Sequence, residues 1–240
     1  MLEVEQALKL ILQNFSILDD ETKPILDAIG QTLAEDIIAP FSIPPMANSA
    51  MDGYAVRSID IIGATKLNPK FLNVIGQVAA GSLPTQILEE GTAIRIMTGA
   101  PIPTGTDAVV PFEDTDELER STSTTNSSLI GIEFEFVKGS NVRPAGGDIT
   151  QGQTVLSKGS VLGPTEIGVL ASVGQAKVKV IRRPVISILA TGDEILQPGS
   201  RMEPGKIYDS NSFSLSAAVL KYGGIPNQLG IAPDKIDVTK

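Results

Sequence analysis

The chain has 240 residues, 42% of them apolar, with 23 glycines and 16 prolines, so it is globular, turn-rich and long enough for one large or two ordinary domains. Its net charge of −9, with no basic run longer than Arg182-Arg183, argues against binding nucleic acid or a membrane surface. It has neither Cys nor His, which excludes thiol and imidazole catalysis, disulfides, iron–sulfur ligation and an ordinary zinc site.

Chemistry is thereby left to carboxylates, Lys, Arg, hydroxyls, backbone amides or a hard metal held by oxygen. The opening stretch MLEVEQALKL is acidic where a signal peptide would be basic, and no apolar run is long enough to cross a bilayer. A cytoplasmic location is the expectation.

Residues 2–15 read as an amphipathic helix, with Val4, Leu8, Ile11 and Phe15 at helical spacing. Asp19 to Pro24 reads as a polar break. Ile25 to Ala39 mixes extended pieces with a helical turn at Ala34–Asp36. The loop IPPMANSAMDGYAVRS, Ile43–Ser58, is either a connector or a device that presents Asp52.

From Tyr54 to about Val137 the pattern is β. FLNVIGQVAAG, TAIRIMTGAP, DAVVPFED and LIGIEFEFVKG are punctuated by turn residues, and Ile130, Ile132, Phe134 and Phe136 alternate with period two. Short strands near prolines favour a compact barrel over a wide sheet. Arg120–Ser128 reads as an exposed, mobile hairpin tip.

After the irregular stretch NVRPAGGDITQG come a short strand, TVLSKG, and a helix, PTEIGVLASVG. The helix has Pro164 at its start and Gly174 past its end. KVKVI is an alternating strand, and VISILA is an apolar run typical of a parallel strand buried on both faces. TGDEI is a loop, and Ser210–Tyr222 is a helix with Phe213, Ala217 and Leu220 on one side, ended by Gly223-Gly224. NQLGIA is the next strand, which completes a βαβ unit. PDKIDVTK begins a further helix. Two parallel strands cannot form a core, so the chain is expected to be a fragment with an incomplete α/β domain.

Ligands of open parallel sheets bind outside the carboxyl ends of the strands. Asp193 and Glu194 follow the first strand and Asp234 the second, so these acids are expected on one edge. There they would accept hydrogen bonds from a polar heterocycle or hold Mg²⁺. Each has a plainer reading, Asp234 as a helix N-cap and TGDE as a solvated turn. The helix near Ser210 is expected to start closer to the opposite edge. Thr98 ends an apolar strand before a Gly-Ala-Pro-Ile-Pro turn, either at a ligand or in a rigid connection. Asp148, after Gly146-Gly147, is either a turn former or a presented carboxylate.

PPMANSAMDGYAV, AIRIMTGAPIPTGTDAVVPFED, VRPAGGDI, GVLASVG, ILATGDEI and GKIYDSN occur here in one order. That series resembles the molybdopterin molybdenumtransferases, the MoeA and gephyrin E-domain family, over essentially the whole chain. The resemblance implies insertion of molybdenum from molybdate into adenylylated molybdopterin, with release of AMP and with Mg²⁺ or a similar divalent ion required. It implies a homodimer whose active site lies at the subunit interface, and a molybdopterin adenylyltransferase as pathway partner.

It also implies an α+β multidomain fold. An elongated N-terminal subdomain, residues 1–52 and 141–178, would carry an inserted small β-barrel-like subdomain, 53–140. An incomplete MogA-like α/β domain, 179–240, would follow, with the family's final β domain absent. By this likeness Glu194, Asp52 and Asp148 are catalytic and Thr98 and Asp234 bind substrate, and Asp193, beside Glu194 after the first strand, is expected to bind substrate with them. The family's continuation past position 240 implies that this chain is inactive alone. A dimerising scaffold related to the gephyrin E domain is the alternative, and a general nucleotide-binding protein lacks its usual glycine motifs here.

Overall fold

The computed structural model describes residues 3–120 and 128–234. Most of the expected hairpin tip at Arg120–Ser128 and of the helix expected in PDKIDVTK lies outside them. In chain order the principal elements begin with α1 (Val4–Leu12), β1 (Asp20–Pro24) and β2 (Gly53–Val56). Next are β3 (Lys70–Val78), β4 (Thr92–Ile96), β5 (Ala108–Pro111) and β6 (Leu129–Ile132). The C-terminal part supplies α2 (Pro164–Ser172), β7 (Lys177–Ile181), β8 (Val185–Thr191), α3 (Asn211–Lys221) and β9 (Ile225–Ala232). No helix among the described residues is long and apolar enough to cross a membrane.

The chain forms two compact units. One is continuous, Ile38–Gln153, and the other combines the residues up to Ile37 with those from Thr154 onward. The expected insert, 53–140, lies wholly within the continuous unit, and the flanking segments 38–52 and 141–153 pack onto it. That unit closes on itself at its ends, where the Ala39 N–H donates to the Gln153 carbonyl and the Gly152 N–H to the Ala39 carbonyl.

Its centre is a five-stranded mixed sheet in the order β5-β2-β4-β3-β6. β2 is buried along its whole length between β4 and β5. Strand alternation sends Tyr54, Val56, Ala93, Ala108 and Val110 into one core with Leu72, Ile130 and Ile132. Ala55, Ile94, Ile96 and Val109 enter a second core with Val78 and Leu88. The sheet curls without full closure. β5 and β6 do not pair as strands, but Thr115, just beyond β5, makes a single bridge to Ile132 on β6.

This curl shortens the stretch with the clearest twofold alternation. β6 stops at Ile132, because the chain opposite Glu133 is a 3₁₀ turn at Phe112–Asp114, and only the Glu133 N–H finds a carbonyl there, that of Asp114. Gly53 is demanded by packing. A Cβ there would lie 1.9 Å from the Val110 carbonyl oxygen.

In the discontinuous unit the expected polar break is a strand. β1 pairs antiparallel with β7 from Asp20↔Ile181 to Pro24↔Lys177, its polar side chains marking it as an edge. The helical turn falls at Ile25–Ala28 rather than Ala34–Asp36. α2 matches its sequence signals: Pro164 opens it, the Glu166 carboxylate accepts from the Gly163 N–H at 2.9 Å, and Gly174 ends it at φ 77°. α1 is shorter than expected and buries none of its residues.

β8 and β9 pair in parallel, joined by α3. The expectation of a strand buried on both faces does not hold, since of β8 only Ile188 is buried. A two-stranded sheet with one helix has too little partner surface. The face α3 turns inward also differs from expectation. Ser212 and Ser216 are buried, whereas Phe213 and Leu220 are exposed. The Ser216 hydroxyl donates to the Ser212 carbonyl at 2.7 Å and accepts from Gln228 Nε2 at 2.8 Å, which satisfies the buried hydroxyl.

Two outcomes follow from this packing. Gly53→Ala should cost about 3 kcal/mol of stability, because the obstructing atom is backbone and cannot swing away. Chemical denaturation measures it, and a loss below about 1 kcal/mol would show that β2 and β5 part easily. Amides of β8 and β9 should exchange roughly a hundredfold faster than those of Ala55 and Val109, and equal protection would contradict the uneven burial.

Candidate functional site

The residues nominated from sequence fall into two groups, one in each compact unit. In the continuous unit the Ile43–Ser58 loop is sewn down along its length. Its start is held by Ile43, whose N–H donates to the Ile149 carbonyl at 2.7 Å and whose carbonyl accepts from the N–H groups of Asp148 and Ile149. Farther on, Asn48-Ser49 pairs antiparallel with Val142-Arg143, and the Gly99 N–H donates to the Ser49 carbonyl. The segment lies wholly within the continuous unit and is held at several points along its length.

At its end Asp52 meets Thr98, which the sequence places 46 residues away. The Thr98 N–H and hydroxyl both donate to Asp52 Oδ1, at 2.7 and 2.8 Å. These bonds hold the Asp52 carboxyl below its ordinary value, the backbone N–H contributing most and the hydroxyl next. The Arg95 charge adds to them and burial opposes. The Phe112 N–H donates to the Asp52 carbonyl at 3.1 Å. Asp148 belongs to the same loop assembly through Ile43, but its carboxylate is exposed and hydrogen-bonds to none of the described residues. The structure therefore joins Asp52 to Thr98 and leaves Asp148 separate.

In the discontinuous unit the acidic loops after β8 and β9 come together. The Gly192 N–H donates to the Ala232 carbonyl at 3.2 Å, and the Asp234 N–H to Asp193 Oδ1 at 3.3 Å. Both loops thus stand on the carboxyl rim of the parallel pair. The Glu194 carboxylate folds over Gly192, where a Cβ would fall 2.6 Å from Glu194 Oε2. The φ of 148° at Gly192 also favours glycine.

The loop is held from its other side by Lys206 and Ile207. Lys206 Nζ donates to the Asp193 carbonyl, and the Ile207 N–H to the Glu194 carbonyl at 2.9 Å. Ile195, expected to be loop, pairs together with Leu196 in parallel with Ile207-Tyr208.

One expectation is reversed. The N-terminus of α3 stands at this same rim, where Asp209 to Ser212 line a cavity of about 310 Å³ together with Thr191 and Ile195. The opposite end leads back to the start of the sheet, as the Ile225 N–H bond to the Pro184 carbonyl records. A crossover helix runs antiparallel to the strands it joins, so it must begin at their carboxyl ends. Its first turn is still poorly suited to an anion, because Asp209, only 8% exposed, already accepts the Ser212 N–H at 2.9 Å. The hydrogen bonds from Ser212 hold that carboxyl below its ordinary value.

Comparison with known proteins decides the family. A family model of the MoeA N-terminal region (domains I and II) matches residues 2–174. The chain belongs to the MoeA family. It is 40% identical over 215 residues to molybdopterin molybdenumtransferase 2 of Mycobacterium tuberculosis, covering 90% of this chain and 51% of that protein. It is 39% identical over 220 residues to a Staphylococcus aureus molybdopterin molybdenumtransferase, covering 92% and 51%.

Two solved structures of the Pyrococcus horikoshii molybdopterin biosynthesis MoeA protein share its fold. One has TM-score 0.82 and 37% identity, over 100% of this chain and 59% of that one. The other has TM-score 0.85 and 34% identity, over 98% and 60%. The chain spans about half the length of the transferases it matches.

Within this MoeA-family chain, three participants escaped sequence reasoning: Arg95, Lys206 and Asp209. The first sits inside AIRIMTGAP and the others inside GKIYDSN, so the motifs were visible while the contacts were not. The magnesium implied by the resemblance finds no cage. Among the described residues no three acidic side chains converge, and Asp193 Oδ1 is already occupied by the Asp234 N–H. An all-protein magnesium site does not fit these residues.

The Asp52–Thr98 pair has a measurable consequence. A carboxyl whose folded value is depressed adds stability above its unfolded value, and that stability is lost as pH falls through the folded one. Thr98→Val removes the hydroxyl bond and keeps the N–H bond. The Asp52 midpoint, followed by carboxyl NMR, should rise part-way toward its ordinary value, and the acid-side loss of stability should shrink. An unchanged midpoint would remove the hydroxyl from the pair.

Proposed function

We propose that this chain is the part of a molybdopterin molybdenumtransferase that presents acidic side chains to the pterin substrate. The reaction inserts molybdenum from molybdate into adenylylated molybdopterin and releases AMP. The observation that carries this reading is the meeting of the loops after β8 and β9, with the Asp234 N–H on Asp193 Oδ1. Two parallel strands thereby offer Asp193, Glu194 and Asp234 along one rim, where open sheets take their ligands.

Asp193 and Asp234 accept hydrogen bonds from amino and hydroxyl groups of the substrate, and Lys206 supplies positive charge beside them for its phosphate. The exposed Glu194 carboxylate orients the water that attacks the phosphoanhydride and accepts its proton. Asp52, fixed by Thr98, and Asp148 belong to the β unit. They act on the substrate held by the α/β unit of a partner subunit, so the active centre is assembled by a homodimer. The apolar side of α1, with Val4, Leu8 and Ile11 all exposed, supports such association.

In this reading residues 1–52 and 141–178 form the first, elongated subdomain and 53–140 its barrel-like insert, with the molybdopterin-binding domain beginning at 179. The protein works in the cytoplasm after a molybdopterin adenylyltransferase, with Mg²⁺ arriving bonded to the substrate phosphates.

Replacement of Glu194 tests the proposal. In the full-length protein, Glu194→Gln should leave dimerisation intact and lower cofactor formation by roughly a hundredfold or more. Wild-type activity in that variant would sink the rim assignment. A full-length protein that dimerises but forms no cofactor even when unaltered would point to the scaffold reading.

A further inference from the structure

We propose that Arg95 is the positioning residue of the Asp52–Thr98 pair, acting through the Gly53 carbonyl and the ring of Tyr54. This rests on the reading of Asp52 as a site residue. Arg95 lies on β4 opposite Tyr54 on β2, three residues before Thr98. Its Nη1 donates to the Gly53 carbonyl at 2.9 Å and to the Ile96 carbonyl at 3.3 Å. Its Nε donates to Glu117 Oε1 at 3.2 Å. The guanidinium carbon stands 5.2 Å from the centre of the Tyr54 ring and 5.6 Å from that of Phe112.

Every group that fixes Asp52 is thus touched by, or continuous with, this one side chain. Gly53 follows Asp52 directly. Phe112, stacked on the guanidinium, gives its N–H to the Asp52 carbonyl. Thr98, which binds the carboxylate, lies two residues beyond the end of the strand that carries Arg95.

A sheet position flanked by Ile94 and Ile96 and opposite Tyr54 would ordinarily hold an apolar residue. Its side chain is only 17% exposed, and a largely buried ion pair is a poor source of stability against a well-packed hydrophobe. What an arginine adds is geometry. The planar fork reaches a carbonyl and a carboxylate in two fixed directions while stacking on rings, which a lysine nitrogen cannot do. The neighbouring Tyr54 hydroxyl, pushed up to about 12 by burial and then by the Glu117 charge, stays protonated at any working pH.

The test uses Arg95→Lys, which keeps the charge and loses the fork, and Arg95→Met, which keeps the packing stem alone. In the full-length protein both should lower kcat for molybdenum insertion by roughly tenfold to a hundredfold, the scale of a misplaced catalytic group, with KM changed by less than about threefold. Amide exchange at Thr98 should accelerate roughly tenfold or more, while Ala55 and Val109 keep their protection. Combined with Asp52→Asn, Arg95→Lys should add little further loss, because both act at one point.

Retained kcat and Thr98 protection in Arg95→Lys would overturn the proposal. So would equal loss of protection at Thr98, Ala55 and Val109, or losses that multiply in the double variant. If Asp52→Asn alone keeps full activity, the reading of the site fails instead, and Thr98 exchange still decides what Arg95 holds.

Discussion

The approach of β2 to β5 at Gly53 governs the β unit. With 1.9 Å between an ideal Cβ and the Val110 carbonyl oxygen, no other residue lets the two strands close at that point. Closure buries Gly53 to Val56 and divides the unit into two cores, one on each face of the sheet. It also sets where the chain can first leave the sheet. Asp52 is the residue immediately outside, and its carbonyl and carboxylate are each hydrogen-bonded there. The locked glycine fixes the backbone beside Asp52, and the two Thr98 donors hold its carboxylate.

The two acidic groups differ in their physics. Asp52 is a preorganised anion, with two donors aimed at one oxygen and its proton affinity lowered accordingly. The acids at the rim of β8 and β9 are exposed side chains on loops held mainly through backbone. Asp193 is the exception, since its carboxylate ties one loop to the other. Fixed charge selects a geometry, and solvated carboxylates on anchored loops exchange water for the hydrogen bonds of a polar ligand at little structural cost.

The parallel pair shows how far pattern outruns packing. Val185, Ile186, Leu189, Ile225 and Leu229 have the composition of a doubly covered strand, yet in the described residues one helix packs on two strands and these side chains stay exposed. α3 accordingly uses Ser212 and Ser216 against the sheet and turns Phe213, Leu215 and Leu220 outward. Apolar spacing marked these residues as destined for burial, while which face met this sheet depended on the neighbours present.

Much is legible in the sequence. The strands around FLNVIGQV and TAIRI, the helix opened by Pro164 and ended by Gly174, the βαβ order and the acids on one rim are local or topological, and short-range sterics and crossover rules decide them. The ordered motifs also carried the family. Other features needed contacts between distant segments. The charged strand Asp20–Pro24 pairs only because β7 lies alongside, the alternation after Ile132 stops because a turn lies opposite, and α3 begins at the carboxyl rim because it must run back along its strands. Asp52 and Thr98 were each visible as single residues. That one carboxylate oxygen accepts both donors of the other residue, with Arg95 beneath, is a fact of three-dimensional proximity that no spacing along the chain encodes.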